Sequence, residues 1–170
     1  SSSSSFFFFF FFVQDRAKVQ HMANTTGVPS LEQFVLLALP AGGGCQSAYN
    51  RQTRYFCGFA PECRDACSPA ALATAEVNLR TRYAVVGLQE ELPATVRLLE
   101  HRLPLFFRHA GRYVQQLPPA RVSAHRPEAL SPAAQARLRA LLAPDLRLYA
   151  VAQFAFHRQL DELHNCTGKH

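Results

Sequence analysis

Lysine is almost missing from this 170-residue chain; it occurs only at Lys18 and Lys169, so arginine supplies nearly all of a formal net charge of +6. A basic surface favours polyanions, and the planar guanidinium suits bidentate contact with phosphate, sulfate and carboxylate. Composition does not choose among nucleic acid, sulfated glycan, nucleotide and acidic membrane. No apolar run approaches the roughly 20 residues that span a bilayer. The run Phe6–Val13 has neither the basic flank nor the initiator Met of a signal peptide, so no targeting segment is read. There is no Gly-x-x-x-x-Gly-Lys-Ser/Thr loop to cradle phosphates. Gly42-Gly43-Gly44 is not followed by a basic residue and a helix, and reads as a spacer. None of the seven histidines (21, 101, 109, 125, 157, 164, 170) has the context of a catalytic triad. All read as surface groups, with His101 and His157 on helices beside their apolar stripes.

Five cysteines are present: Cys45, Cys57, Cys63, Cys67 and Cys166. The Cys57–Cys63–Cys67 spacing lacks the two close pairs of a usual zinc site, so no metal is expected. The alternatives are a short disulfide loop, which implies a secretory compartment, and a set of partly buried free thiols. Glycosylation sequons at Asn24 and Asn165 fit the secretory compartment.

Residues 1–29, with Ser1–Ser5 and Phe6–Phe12, look foreign to the rest. They read as a fragment end or a gene-model artefact, disordered or loosely docked. Residues 30–170 read as one domain part. Ser30–Leu39 is a short apolar helix stopped by Pro40, and Arg54–Cys67 is a Cys-bracketed loop. Ser68-Pro69 opens a helix, with Ser as cap and Pro at the first helical position. Leu72, Ala75 and Leu79 follow at helical spacing. Tyr83–Leu88 is β-rich and nearly all apolar, as in a parallel strand buried on both faces. Glu90 and Glu91 suit a helix N-terminus, and Leu92, Val96, Leu99 and Leu103 form one face of that helix. Pro104 ends it. Val114–Leu130 is Pro- and Arg-rich without period, a long loop. Ser131-Pro132 opens a helix with Leu138, Leu141 and Leu142 inward and Arg137 and Arg139 outward. Pro144-Asp145 starts a last helix with the stripe Tyr149, Ala152, Phe156, Leu160 and Leu163. The fold class is α/β: mostly helical, with one short buried parallel strand.

Tyr55-Phe-Cys-Gly-x4-Cys63 resembles the "Phe-Phe-Cys-Gly-x4-Cys" of the heparan sulfate and uronyl 2-O-sulfotransferase family, and further segments extend the likeness. Ala73–Leu88 resembles "Ala-x-x-Asn-Leu-x-x-x-Tyr-x-x-Val-Gly", followed by Glu90-Glu91-Leu92 and Leu98-Leu99-Glu100. Leu103-Pro-Leu-Phe-Phe-Arg108 resembles "Leu-Pro-x-Phe-Phe-Arg-Gly", and Asp145–Leu160 the last helix more loosely. The likeness runs from about Ser30 to about Leu163.

The resemblance implies the C-terminal part of a P-loop-like sulfotransferase fold. It implies a Golgi membrane enzyme with a lumenal domain, one that moves sulfate from 3′-phosphoadenylyl sulfate to a uronic acid 2-hydroxyl in a glycosaminoglycan. A homo-oligomer is expected and nucleic acid is not. Cys57 and Cys63 match the family's disulfide pair. Phe34 stands where the family has the usual partner of Cys45, and Cys67 is an extra thiol able to replace it. Arg121-Val-Ser-Ala-His-Arg126 matches "Arg-x-Thr-x-x-Lys". By that match Ser123 and Arg126 contact the donor nucleotide and Arg121 reaches the acidic sugar; separately, with one gap in the alignment, Tyr113 matches a family Tyr next to the nucleotide. The donor loop and the catalytic base have no counterpart here, so the chain alone is expected to be inactive. The other reading is a non-catalytic homologue that binds sulfated glycan or a partner protein.

Overall fold

The computed structural model describes residues 7–11, 31–33, 35–36, 44–116 and 130–167. Its elements run β1 (Phe7–Phe11), α1 (Leu31–Gln33), α2 (Arg51–Cys57), a 3-10 turn (Pro61–Arg64) and α3 (Pro69–Thr81). Then come β2 (Tyr83–Leu88), α4 (Leu92–Arg102), α5 (Pro104–Phe107), α6 (Ala110–Gln116), α7 (Pro132–Leu141) and α8 (Ala143–Thr167). The described residues are mostly helical.

The caps read from the sequence form as expected. The Ser68 side chain accepts from Ala71 N, and Ser131 from Ala134 N, each ahead of a proline. Each satisfies one of the free N–H groups that begin a helix.

The strand also has the bounds read from the sequence. Val85, Val86 and Leu88 are at most 4% exposed, so β2 offers no open apolar face. It pairs in parallel with β1, Phe9 opposite Val86 and Leu88 opposite Phe11. Aromatic runs favour extended backbone, and that is the form Phe7–Phe11 takes here.

β2 lies against α4 and α8. Leu79 of α3, Leu98 and Leu99 of α4, and Leu148, Ala152 and Phe156 of α8 meet around it in the main core. Two polar residues finish the job that apolar packing cannot. Gln159, buried on α8, accepts from Val86 N at 3.2 Å. Thr95 Oγ1 accepts from Leu88 N at 3.0 Å and donates to Leu88 O at 2.9 Å, which locks the strand end to α4. A smaller core of Val35, Leu130, Ala134, Leu138, Leu141 and Leu142 sits beneath α7.

Two sequence readings are corrected, at Arg54–Cys67 and at Arg137. Arg54–Cys67 is not one loop: residues 51–57 are helical and 61–64 form a 3-10 turn. The helix was hidden because its N-terminal carboxylate comes from far along the chain. Asp145, 3% exposed, accepts from Thr53 N (2.7 Å), Thr53 Oγ1 (2.7 Å) and Gln52 N (3.1 Å). Of Ser30–Leu39, Leu31–Gln33 are α-helical and residues 35–36 π-helical, and the rest lie outside the described residues. Arg137 does not point wholly outward; it is half-buried and donates from Nη1 to Leu36 O at 3.0 Å.

Candidate functional site

Two disulfides organise the region before α3. Cys57–Cys63 spans a Cα–Cα distance of 5.5 Å and closes the loop between α2 and the 3-10 turn. Cys45–Cys67, at 5.8 Å, ties the segment before α2 to the start of α3. Loops of these sizes constrain the unfolded chain by roughly 2 and 3 kcal/mol respectively. Cys166 is free and exposed.

Beneath this braced region α2 packs on α3. Asn78 of α3 donates from Nδ2 to Phe56 O (2.9 Å) and Cys57 O (3.1 Å), holding the C-terminal end of α2 in place. At the other end Asn50, fully buried, donates to Gln46 O and Leu141 O at 2.8 Å each. Its Oδ1 accepts from Asp145 N at 3.2 Å. Asn50 and Asp145 therefore fix α2 between the disulfides and α8.

The cavity so formed has a volume of about 710 Å³. Arg51, Arg54, Arg64 and Arg82 line it, with Tyr55 and Tyr83 among the aromatics and the Cys57–Cys63 pair in its wall. Among the described residues no carboxylate lines it. Among the described residues none of the four arginines pairs with a carboxylate. Arg82 Nε donates to Asn78 Oδ1 at 3.0 Å, and Tyr55 is 58% exposed. The Tyr83 ring meets Phe56 edge-on at 5.1 Å. Burial raises the pKa of the Tyr83 phenol, and the nearby Tyr55 adds to the rise. Four exposed cations beside a neutral, apolar-backed wall make this a surface of positive potential that attracts anions.

The sequence-predicted site residues are not gathered there. Tyr113 lies on α6 and is 70% exposed. Arg121, Ser123, Arg126 and the Asn24 sequon lie outside the described residues. Asn165 is exposed near the end of α8. Sequence reasoning missed the cavity, because its arginines come from α2, the 3-10 turn and the end of α3. It also read Glu90 and Glu91 only as charges at a helix start. Tyr149 donates to Glu90, and His157 Nε2 meets Glu91 at 3.3 Å, so both glutamates pin the start of α4 to α8. The spacing Tyr149–Gln153–His157 on one helical face is the signal that marks this contact.

His109, just after α5, has φ 68°, the left-handed region. Glycine adopts this backbone without a Cβ penalty, so His109 holds a glycine-type turn.

No protein-family model matches the chain. Over 73 residues, 41% of the chain, it is 42% identical to heparan sulfate 2-O-sulfotransferase 1 of Gallus gallus. It is 41% identical over the same length to the Homo sapiens enzyme of that name. Over 63 residues it is 40% identical to the uronyl 2-sulfotransferase homolog pip of Drosophila melanogaster. The chain spans 20% of the length of the first two relatives and 12% of the third.

Proposed function

We propose that this chain is the C-terminal part of a glycosaminoglycan uronyl 2-O-sulfotransferase. The intact enzyme transfers sulfate from 3′-phosphoadenylyl sulfate to the 2-hydroxyl of a uronic acid in heparan, dermatan or chondroitin sulfate. The observation that carries the reading is the 40–42% identity to proteins named for that chemistry.

The division of labour follows from what the 170 residues hold. Their sequence holds no Gly-x-x-x-x-Gly-Lys-Ser/Thr loop and no histidine in a triad-like motif. Those parts, which bind the donor's phosphosulfate and take the acceptor's proton, are assigned to the rest of the enzyme. On this reading the chain supplies a cystine-braced helical scaffold and a basic loop. Ser123 donates a hydroxyl hydrogen bond to the donor nucleotide, Arg126 neutralises its phosphate, and Tyr113 flanks it. Arg121 faces the uronate or a neighbouring sulfate. The two disulfides support a Golgi-lumenal setting, where such bonds persist. The acceptor partner is a sulfated glycosaminoglycan, and the intact enzyme is a membrane-anchored homo-oligomer.

A chimera tests the proposal. Residues 30–163 replace the corresponding part of the human relative, and the purified secreted protein is given donor and an N-sulfated heparosan acceptor. Disaccharide analysis is expected to show new 2-O-sulfated uronic acid. A folded, secreted chimera that makes none overturns the reading. A non-catalytic glycan-binding homologue is the second reading, and the four-arginine cavity is the observation that favours it.

A further inference from the structure

The Cys57–Cys63 loop carries a side chain that the fold does not use. Phe59 is fully exposed, where a phenyl ring gains nothing from folding. Its backbone is nevertheless fixed. The disulfide closes residues 57–63. Gly58 N donates to Arg54 O at 3.1 Å, and Cys63 N to Ala60 O at 2.9 Å. Gly58 takes φ 99°, on the side of the backbone map that favours glycine. A ring presented on so rigid a turn loses little entropy when a partner covers it.

Phe59 stands at the wall of the arginine cavity. Charge alone would suit any polyanion there, but the wall is more selective. Phe56, Cys57, Phe59 and Ala60 make one side of it apolar. The backbone oxygens that a sugar hydroxyl would need are already taken: Arg54 O by Gly58 N, Phe56 O and Cys57 O by Asn78, and Asn78 O by Arg82 N. Guanidinium groups and apolar surface remain, and the ligand that satisfies both is an amphipathic anion. A second copy of the same face would set arginines against arginines.

We propose that this face docks an acidic peptide segment of a partner protein. A large apolar side chain of the segment seats in the cavity against Phe59, and its carboxylates meet Arg51, Arg54 and Arg64. Aromatic and arginine side chains are those that protein interfaces concentrate at their centres. Carboxylates pair with guanidinium groups through two parallel hydrogen bonds. A hollow of about 710 Å³ suits a short peptide. The inference stands independently of sulfate transfer.

The test titrates the full 170-residue chain into two fluorescein-labelled peptides of equal charge at one salt concentration. One is Asp-Glu-Glu-Leu-Phe-Glu-Asp-Glu, and the other has Ser-Ser in place of Leu-Phe. By fluorescence anisotropy the Leu-Phe peptide is expected to bind at least about tenfold tighter, the gain from burying one large apolar side chain. Phe59→Ser is expected to cut that preference below about threefold while the Ser-Ser peptide binds as to the parent. The ring is fully exposed, so this variant keeps the fold. Arg51→Ala/Arg64→Ala is expected to weaken both peptides by at least about fivefold through lost charge-assisted contacts. Arg97→Ala/Arg139→Ala, an equal charge loss outside the cavity, is expected to weaken them less than about twofold by screened attraction alone. Equal affinity of the two peptides for the parent chain, including no binding by either, overturns the proposal and needs no variant. An unchanged preference in Phe59→Ser overturns it as well, and so do equal losses in the two arginine variants. A heparin octasaccharide that loses as much affinity as the Leu-Phe peptide in Phe59→Ser also overturns it, because the face then serves a glycan.

Discussion

Asp145→Ala should be among the most damaging single changes outside the apolar core. The side chain is 3% exposed and caps a helix 92 residues earlier in the chain through Thr53 N and Thr53 Oγ1. Alanine leaves both of these buried donors without an acceptor, at roughly 1–3 kcal/mol each. Gln52 N is only part-buried and recovers water. The sum is about 3 kcal/mol, a large share of the 5–15 kcal/mol typical of a domain. With a urea m-value of about 2 kcal/mol/M, the unfolding midpoint should fall by about 1.5 M at unchanged slope. Asp145→Asn keeps one oxygen but turns an NH₂ toward the Gln52 donor, so an intermediate loss is expected. Thr53→Ala in the Asp145→Ala background should cost less than in the parent, by at least about 0.5 kcal/mol. The readout is urea unfolding followed by circular dichroism with disulfides intact. A midpoint shift below about 0.3 M for Asp145→Ala would refute the idea that this cap anchors α2.

Gly87→Ala should destabilise by about 1–3 kcal/mol, because a Cβ there would sit 2.3 Å from Thr95 Cγ2; Thr95→Ser, which removes that methyl and keeps the hydroxyl, should recover part of the loss in the same melt. His109→Gly should raise stability by roughly 1 kcal/mol, since glycine adopts the left-handed φ of 68° without a Cβ penalty, and a lower melting temperature would count against it. The Tyr83 phenol has its pKa raised by burial first and by Tyr55 second, so folding favours its neutral form. That contribution is complete below the ordinary tyrosine pKa of about 10 and is lost as pH climbs through the raised folded value. Unfolding midpoints should therefore fall at alkaline pH, and Tyr83→Phe should flatten that part of the profile.

Local signals carried much of this fold. Ser68-Pro69 and Ser131-Pro132 mark helix starts because the cap and the fixed proline φ act within one turn. Tyr83–Leu88 was legible because six residues, nearly all apolar, ending near a glycine leave few alternatives. Gly87 itself is explained only by the structure, through Thr95 above it. The Cys57–Cys63 pair followed from a motif, and Cys67 does take the place of the missing partner of Cys45. What stayed hidden was set by distant contacts. Helix α2 has no local cap side-chain bond, so Asn50 and Asp145 had to meet before it could be seen. Arg137 read as a surface charge until its bond to Leu36 O was known. The arginine cavity needed α2, the 3-10 turn and α3 to converge, and no spacing along the chain encodes that.

The central claim is that this chain carries the donor- and acceptor-binding cations of a uronyl 2-O-sulfotransferase. The most direct measurement is the affinity of adenosine 3′,5′-bisphosphate for the chimera and its Arg126→Ala and Arg121→Ala variants, by calorimetry at one salt concentration. Arg126→Ala should weaken it roughly ten- to a hundredfold, the loss of one charge-assisted contact. Arg121→Ala should leave it nearly unchanged while raising the acceptor KM. Parent-like nucleotide affinity in Arg126→Ala, with a parent-like KM in Arg121→Ala, would contradict the claim.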